Sequence, residues 1–261
     1  MNDTLPGEPW KLVLVGLAAG LLGGMMGVGG GIVMVPLLVF LGLGRHRALA
    51  TSLAAIVLIG SAGATSYALS GAIEIGLGVT IGIGGVVGSV LGASLMHRAS
   101  ARSLSIIFGV VLIIAAVRMI SGASPLPGAA DYASAVLLAI AVGIGLIAGG
   151  FAGISGIGGG VVIVPSSVLL LGLTQHEAQG TSLVAIIFTS TAGTIVNLRN
   201  QRVRLKDGLV VGVGGVAGSL MGSQFALGVD GRTLSLAFGF LVLFVALRTL
   251  YREAGPKADA A

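Results

Sequence analysis

Cysteine is absent from this chain of 261 residues, and charged residues make up only 9% of it. Without cysteine there is no disulfide, no thiol chemistry and no cysteine-ligated metal or iron–sulfur site. The charged side chains and the three histidines lie in or beside loops, not deep inside the apolar segments. An intramembrane protease, a redox pump or a carboxylate proton relay would need such groups within a span. The chain is therefore predicted not to be an enzyme and to hold no metal or cofactor.

Apolar residues dominate what is there. They make up 55% of the chain, and the mean hydropathy of +1.08 predicts an all-α polytopic membrane protein surrounded by the lipid bilayer. The basic residues behind the net charge of +5 lie in short loops, where they act as topology signals and not as a nucleic-acid surface. Each ordinary apolar segment is near the ~20 residues that cross hydrocarbon. These segments are 48–70, 77–97, 103–120, 178–198, 208–227 and 233–250.

A glycine-rich stretch occurs twice. Gly27–Pro36 reads GVGGGIVMVP, and Gly156–Pro165 reads GIGGGVVIVP 129 positions later. Further matches recur at an offset of 130, among them Thr-Ser-Leu near the start of the next apolar segment. So many matches at nearly one spacing indicate an internal duplication. The predicted repeats are residues 1–126 and 127–261, joined by a polar segment.

The segment that leads each repeat, about 12–43 and 134–172, is too long for one span and short for two. A helix, a glycine break and a second short helix would fit, whether the resulting hairpin spans the bilayer fully or re-enters. If each lead segment enters and leaves on one side, the second repeat is inverted and 12 of 14 Lys and Arg share the N-terminal side. A single crossing divides them five against nine. The positive-inside rule thus favours inverted repeats with both termini cytoplasmic.

The glycine triplets are the predicted binding site. Two equivalent helix breaks in one membrane protein point to a transporter's site, because released backbone must be satisfied by protein, water or ligand. A helix N-terminus there carries roughly +0.5 charge and unpaired N–H donors, which suit an anion. The alternative is a tight turn that packs closely and binds nothing. The candidate ligands are the backbone N–H groups of Gly29, Gly30, Gly31, Gly158, Gly159 and Gly160.

Hydroxyl side chains open the helix that follows each glycine stretch. They either cap that helix or face a polar path and become additional ligands. These candidates are Thr51, Ser52, Thr181 and Ser182.

Glycines also recur every four residues on one face of a later helix in each repeat. This small-xxx-small spacing is typical of close helix packing, either between the repeats or in a homodimer. The glycines are Gly84, Gly88 and Gly92 in the first repeat and Gly214, Gly218 and Gly222 in the second.

The duplicated pattern of Gly-x-Gly-Gly-Gly, Val-Pro and Ala-Thr-Ser-Leu closely resembles the TauE/SafE family, the sulfite-exporter-type membrane transporters. Gly27–Pro36 with Ala50–Leu53 carries one copy, and Gly156–Pro165 with Gly180–Leu183 carries the other, with glycine for the first alanine. The resemblance covers essentially the whole chain. It implies a bacterial inner-membrane carrier that exports a small sulfur-containing anion, such as sulfite or an organosulfonate.

The sequence thus predicts two inverted repeats, each a glycine-rich broken or re-entrant hairpin followed by three transmembrane helices. The anion site would lie at the two hairpin tips, near mid-membrane. Export of a monovalent anion from a negative cytoplasm gains ~2.3 kcal/mol per 100 mV, so no coupling ion is required. Two other classes stay open: an ion-coupled carrier or importer of another small anion, and a non-transporting membrane scaffold.

Overall fold

Ten α-helices form the described part of the chain, which in this computed structural model comprises residues 9–95, 101–122, 134–155, 159–199 and 204–254. No strand occurs within these ranges, so the all-α prediction is confirmed for them. The predicted boundary between residues 126 and 127 lies outside them. In chain order the helices are α1 Pro9–Met26, α2 Gly31–Phe40, α3 Arg45–Leu69, α4 Ile75–Leu95, α5 Ala101–Ser121, α6 Ser134–Ser155, α7 Gly160–Leu170, α8 Gln175–Arg199, α9 Leu205–Leu227 and α10 Gly231–Ala254.

Five of these helices are long and apolar enough to cross a membrane by length and composition: α1, α3, α8, α9 and α10. Their outward faces carry large apolar side chains, including Val213 and Phe225 on α9, which are 66% and 64% exposed. Such a surface suits lipid and not water. The chain is a membrane protein on these grounds.

The two short helices, α2 and α7, contain 10 and 11 residues. At 1.5 Å per residue, each is about 15 Å long, roughly half the hydrocarbon thickness. Neither can cross the bilayer alone. Each follows a longer helix after a glycine turn, which is the broken-hairpin arrangement that the sequence predicts.

Contacts between helices come in equivalent pairs. The helix α1 packs along α9, and α6, which opens the second half, packs along α4. Likewise α3 contacts α9 and α8 contacts α4, while α3 pairs with α8 and α5 with α10. Each half therefore completes its packing with helices of the other half.

Glycine lets these helices touch backbone to backbone. A Cβ on Gly218 of α9 would meet the carbonyl oxygen of Leu17 on α1, and one on Gly88 of α4 would meet that of Leu146 on α6. The predicted glycine faces thus serve contacts inside one chain, and a homodimer through them stays a prediction. Gly92 lies beyond the part of α4 whose contacts are described. The other glycines of these faces that meet backbone carbonyls are Gly84, Gly214 and Gly222.

A second set of glycines, which the sequence reasoning missed, faces the first. Gly16 and Gly20 of α1 abut the carbonyls of Val211 and Gly215, and Gly145 and Gly149 of α6 abut those of Ile81 and Gly85. These contacts correspond pairwise under the repeat offsets of 129 and 130. The signal was present in the sequence as glycines four residues apart in both lead segments.

We expect Gly218→Val to destabilise the protein by about 3 kcal/mol, because its side chain would collide with a backbone carbonyl and force α9 away from α1. Gly143→Val is the matched control, since a Cβ there meets nothing within 4 Å. Thermal unfolding of the detergent-purified variants, followed by circular dichroism, measures the difference. Equal unfolding temperatures would contradict the close contact.

Candidate functional site

The first glycine turn ends α1 and reverses the chain. Gly27, with φ of 70°, takes the left-handed conformation, and the N–H of Val28 donates to the carbonyl of Gly23 at 3.1 Å. This is the Schellman pattern of a helix end. Gly29 and Gly30 also have positive φ, 73° and 80°. Three left-handed positions within four residues explain why glycine is required here.

The start of α2 leaves backbone donors unpaired. The carbonyl of Gly30 accepts hydrogen bonds from Val33 and Met34 at 3.2 and 3.0 Å, and no side chain caps the helix. Among the described residues, the N–H groups of Gly29 and Gly30 donate no hydrogen bond. The turn packs against Ala19 of α1, whose carbonyl a Cβ on Gly30 would meet. A buried helix N-terminus with unpaired donors has the electrostatics of an anion site.

The second glycine turn repeats this geometry. Gly159 precedes α7 with φ of 78°, and its carbonyl accepts from Val162 and Ile163 at 3.0 and 3.1 Å. A Cβ on Gly159 would lie 3.0 Å from the carbonyl oxygen of Ala148, the counterpart of Ala19. Gly158 lies outside the described residues.

The two turns touch each other. A Cβ on Gly160 would lie 2.7 Å from the Cα of Val28 and 2.8 Å from the carbonyl oxygen of Gly27. At Gly29, a Cβ would lie 2.9 and 3.2 Å from the γ2 methyl groups of Ile56 and Ile186, which are equivalent positions of α3 and α8. The structure thus brings the two glycine clusters together at the centre of the helix bundle.

The four candidate hydroxyl side chains are all fully buried, but their hydrogen bonds differ. The N–H of Glu74 donates to Thr181 Oγ1 at 3.0 Å, and the N–H of Arg204 donates to Thr51 Oγ1 at 3.4 Å. These two contacts are equivalent, and each ties a helix to the loop before a helix of the other half. Neither hydrogen bond is the helix cap that was the alternative prediction for these threonines.

The two serines form different hydrogen bonds. Ser182 Oγ donates to the carbonyl of Gly27 at 2.8 Å, so this hydroxyl lies at the first glycine turn. Ser52 Oγ donates to the carbonyl of Leu49 at 2.8 Å, within its own helix. Within the described residues, which leave out 156–158 of the second turn, Ser182 is the hydroxyl group whose hydrogen bond reaches a glycine turn.

A cavity of ≈ 580 Å³ runs along α2 from two arginines to the first glycine turn. Arg45 of α3 and Arg248 of α10 lie beyond the end of α2, and Gly31 lies at its start. Their positive charge attracts anions toward the unpaired donors of the turn. The remaining lining residues are Ile32, Val35, Pro36, Val39, Phe40, Leu49, Val245 and Thr249.

The equivalent face of the second repeat is closed. Val35 lines the cavity and is partly exposed, and Pro36 is exposed. Their counterparts on α7, Val164 and Pro165, are buried, Val164 completely. The site is therefore reached along α2 and covered along α7.

The sequence reasoning missed a buried polar group beside the first turn. The Tyr67 hydroxyl donates to Gln179 Oε1 at 2.9 Å and lies 3.2 Å from the carbonyl oxygen of Gly24. The Cα of Gln179 would lie 2.7 Å from a Cβ on Gly27. Both side chains are fully buried. The available signal was the repeat itself, because Gln179 stands where the first half has Leu49.

In the described ranges no three His, Asp or Glu side chains lie close enough together to hold a metal ion. The glycine turns offer N–H donors, and donors do not ligate a cation. The arrangement is suited to holding an anion through hydrogen bonds.

Comparison with known proteins gives a family. The profile of the family described as Sulfite exporter TauE/SafE matches residues 3–119 and 140–260. The probable membrane transporter protein YunE of Bacillus subtilis strain 168 is 25% identical over 92% of this chain and 96% of its own length. A probable membrane transporter protein of Xylella fastidiosa strain 9a5c is 29% identical over 92% of each chain. No solved structure matches the chain.

We expect a single cysteine at Val35 to react with a membrane-impermeant maleimide, and one at Val164 to stay unmodified. The reason is that Val35 lines the open cavity, whereas Val164 is fully buried. The natural chain has no cysteine, so each variant carries one thiol. Labelling of sealed vesicles of both orientations is read as a mass shift, with the denatured protein as the control for full reactivity. Equal labelling of the two positions would contradict the one-sided cavity.

Proposed function

The chain belongs to the TauE/SafE family of membrane transporters, and from that premise we propose that it exports a small sulfur-containing anion, sulfite or an organosulfonate, across the bacterial inner membrane. The observation that carries the proposal is the cavity that leads from Arg45 and Arg248 to Gly31 at the start of α2, next in the chain to the unpaired donors of Gly29 and Gly30. Positive charge at the mouth and hydrogen-bond donors at the base are the chemistry that an anion needs.

The proposed architecture is a pair of inverted repeats, residues 1–126 and 127–261. Its support is the paired packing, in which α1 lies on α9 as α6 lies on α4, together with the equivalent hydrogen bonds of Thr51 and Thr181. The distribution of Lys and Arg along the sequence supports the inversion, with both termini in the cytoplasm. In that orientation Arg45 and Arg248 lie on the cytoplasmic side, so the cavity opens toward the cytoplasm.

The proposed ligands are the backbone N–H groups at the two glycine turns. Gly29–Gly31 supply them from the first repeat, and Gly158–Gly160 from the second. Ser182 lies at the first turn, but its O–H already donates to the carbonyl of Gly27. Thr51 and Thr181 each accept a backbone hydrogen bond and so keep their own O–H for donation, while the O–H of Ser52, like that of Ser182, already donates to a backbone carbonyl.

Weak binding suits the proposed direction of transport. The described part of the site contains glycine backbone and neutral side chains, and its two arginines lie at the mouth. An anion held by dipoles is released more readily than one paired with a buried lysine. A negative cytoplasm drives a monovalent anion outward by ~2.3 kcal/mol per 100 mV. Export then needs no buried titratable group to couple it to a proton.

The test is sulfite efflux from proteoliposomes that contain the purified protein, with and without an imposed membrane potential. We expect flux that increases with an inside-negative potential. We expect Gly30→Val and Gly159→Val to abolish it, since both positions have a left-handed backbone that a β-branched residue resists. Gly143→Val, which meets no neighbour within 4 Å, should keep the wild-type rate.

The possible outcomes separate the three classes. Flux that follows a proton or sodium gradient in place of the potential would favour the coupled carrier. No flux with sulfite or with an organosulfonate would overturn the proposal in favour of a scaffold. Full flux in both glycine variants, with normal insertion, would remove the glycine turns from the site.

A further inference from the structure

The amide groups of Gln175 and Gln179 are buried at the start of α8, and nothing in the proposed path uses them. We propose that they form a second anion-binding station, on the side of the molecule opposite the open cavity. There they would hold the transported anion when the face of α7 opens. This inference rests on the proposed function, because it assigns the other end of the same path.

Gln179 presents only donors to a ligand. Its Oε1 already accepts the hydrogen bond of Tyr67, which fixes the orientation of the amide. Its Nε2 has no partner among the described residues, although the side chain is fully buried. A buried amide nitrogen left unpaired is uncommon, since buried polar atoms are nearly always hydrogen-bonded. Two free N–H groups at one point select a negatively charged or acceptor-rich ligand.

Gln175 provides a second amide close by. It lies one helical turn before Gln179, on the same face of α8, and only 6% of its surface is exposed. Within the described ranges neither its oxygen nor its nitrogen has a hydrogen-bond partner. On this face of α8, three buried amide atoms therefore lack a hydrogen-bond partner among the described residues: both polar atoms of Gln175 and Nε2 of Gln179.

The repeat relates this surface to the open cavity. An offset of 130 takes Arg45 to Gln175 and Leu49 to Gln179, and both Arg45 and Leu49 line the cavity. The corresponding offset of 129 takes the exposed face of α2 to the buried face of α7. The glutamines therefore occupy, in the second repeat, the positions that line the path in the first.

The exchange of residue types gives the two mouths different charge. Arg45 and Arg248 stand at the open mouth, whereas their counterparts are Gln175 and Arg118. At these two equivalent pairs of positions, the mouth that is closed here thus has one arginine fewer. A neutral amide binds an anion less tightly than a guanidinium does. The station would receive the anion from the glycine turns, to which Gln179 is adjacent, and then release it.

Tyr67 acts as a positioning residue for this station. Its hydroxyl joins Gln179 to the end of α1 near Gly24, so its role is to orient the amide. Removing the hydroxyl with Tyr67→Phe frees the amide of Gln179 to rotate. The consequence should be weaker binding at the station without loss of the helix packing.

The test measures sulfite transport with the substrate on each side of oriented proteoliposomes in turn. Gln179→Leu removes the amide, keeps a side chain of similar size and installs the residue of the equivalent position Leu49. We expect it to raise the KM at least tenfold for sulfite on the side opposite Arg45, and to leave the KM on the Arg45 side within twofold. Gln179→Asn, which keeps the amide, should recover part of the loss, and Tyr67→Phe should give an intermediate KM.

The control is Asn197→Leu. Asn197 lies 18 positions after Gln179, toward the far end of α8, where its Nδ2 donates to the carbonyl of Gly193 at 2.8 Å, and its substitution should leave both KM values unchanged. Wild-type flux with unchanged KM values in Gln179→Leu would overturn the station alone. A loss of similar size from both sides, accompanied by a lower unfolding temperature, would assign Gln179 a structural role and also overturn it. Absence of wild-type flux would instead overturn the proposed function, and the station with it.

Discussion

Direct contact between helix backbones is the constraint on which the rest of this structure depends. In hydrocarbon there is no hydrophobic force to press helices together, so close packing of small residues must do it. Glycines of α9 and α4 lie against carbonyls of α1 and α6, and glycines of α1 and α6 reciprocate. Because α1 and α6 end in the glycine turns, these contacts also fix where the turns lie. The meeting of the turns follows from the packing of the helices that carry them.

The glycine turns leave backbone polar groups without hydrogen-bond partners in a helix, and lipid cannot hydrogen-bond to such groups. Some of these backbone groups form hydrogen bonds within the protein. Ser182 donates to Gly27, Val28 donates to Gly23, and Tyr67 approaches the carbonyl of Gly24. The N–H groups of Gly29 and Gly30 have no hydrogen-bond partner among the described residues. The carbonyls of Gly23, Gly24 and Gly27 thus accept hydrogen bonds while N–H donors are left over, which is the polarity that an anion completes.

Much of this could be predicted from the sequence, because its causes are local or repeated. The helical segments follow from apolar length, and the turns follow from glycine triplets that appear twice. Other features depend on distant partners. Thr51 Oγ1 accepts a hydrogen bond from the N–H of Arg204, 153 positions away, and no sequence pattern around either residue predicts that contact. The two amides on α8 carry neither charge nor hydroxyl, and the sequence signal for them is the departure from the repeat at Arg45 against Gln175 and Leu49 against Gln179.

The difference in exposure between α2 and α7 could not be predicted from the sequence. Both helices carry nearly the same residues, Ile-Val-Met-Val-Pro and Val-Val-Ile-Val-Pro, yet the first is open and the second is covered. The two halves are nearly equal in sequence, so the difference in exposure between α2 and α7 must come from packing. If both faces were open at once, the protein would contain a continuous pore. The residues that differ between them, Arg45 against Gln175 and Leu49 against Gln179, lie beside these faces. In the proposed transport path, these small departures from the repeat would give each side its own charge, and with it a preferred direction for an anion.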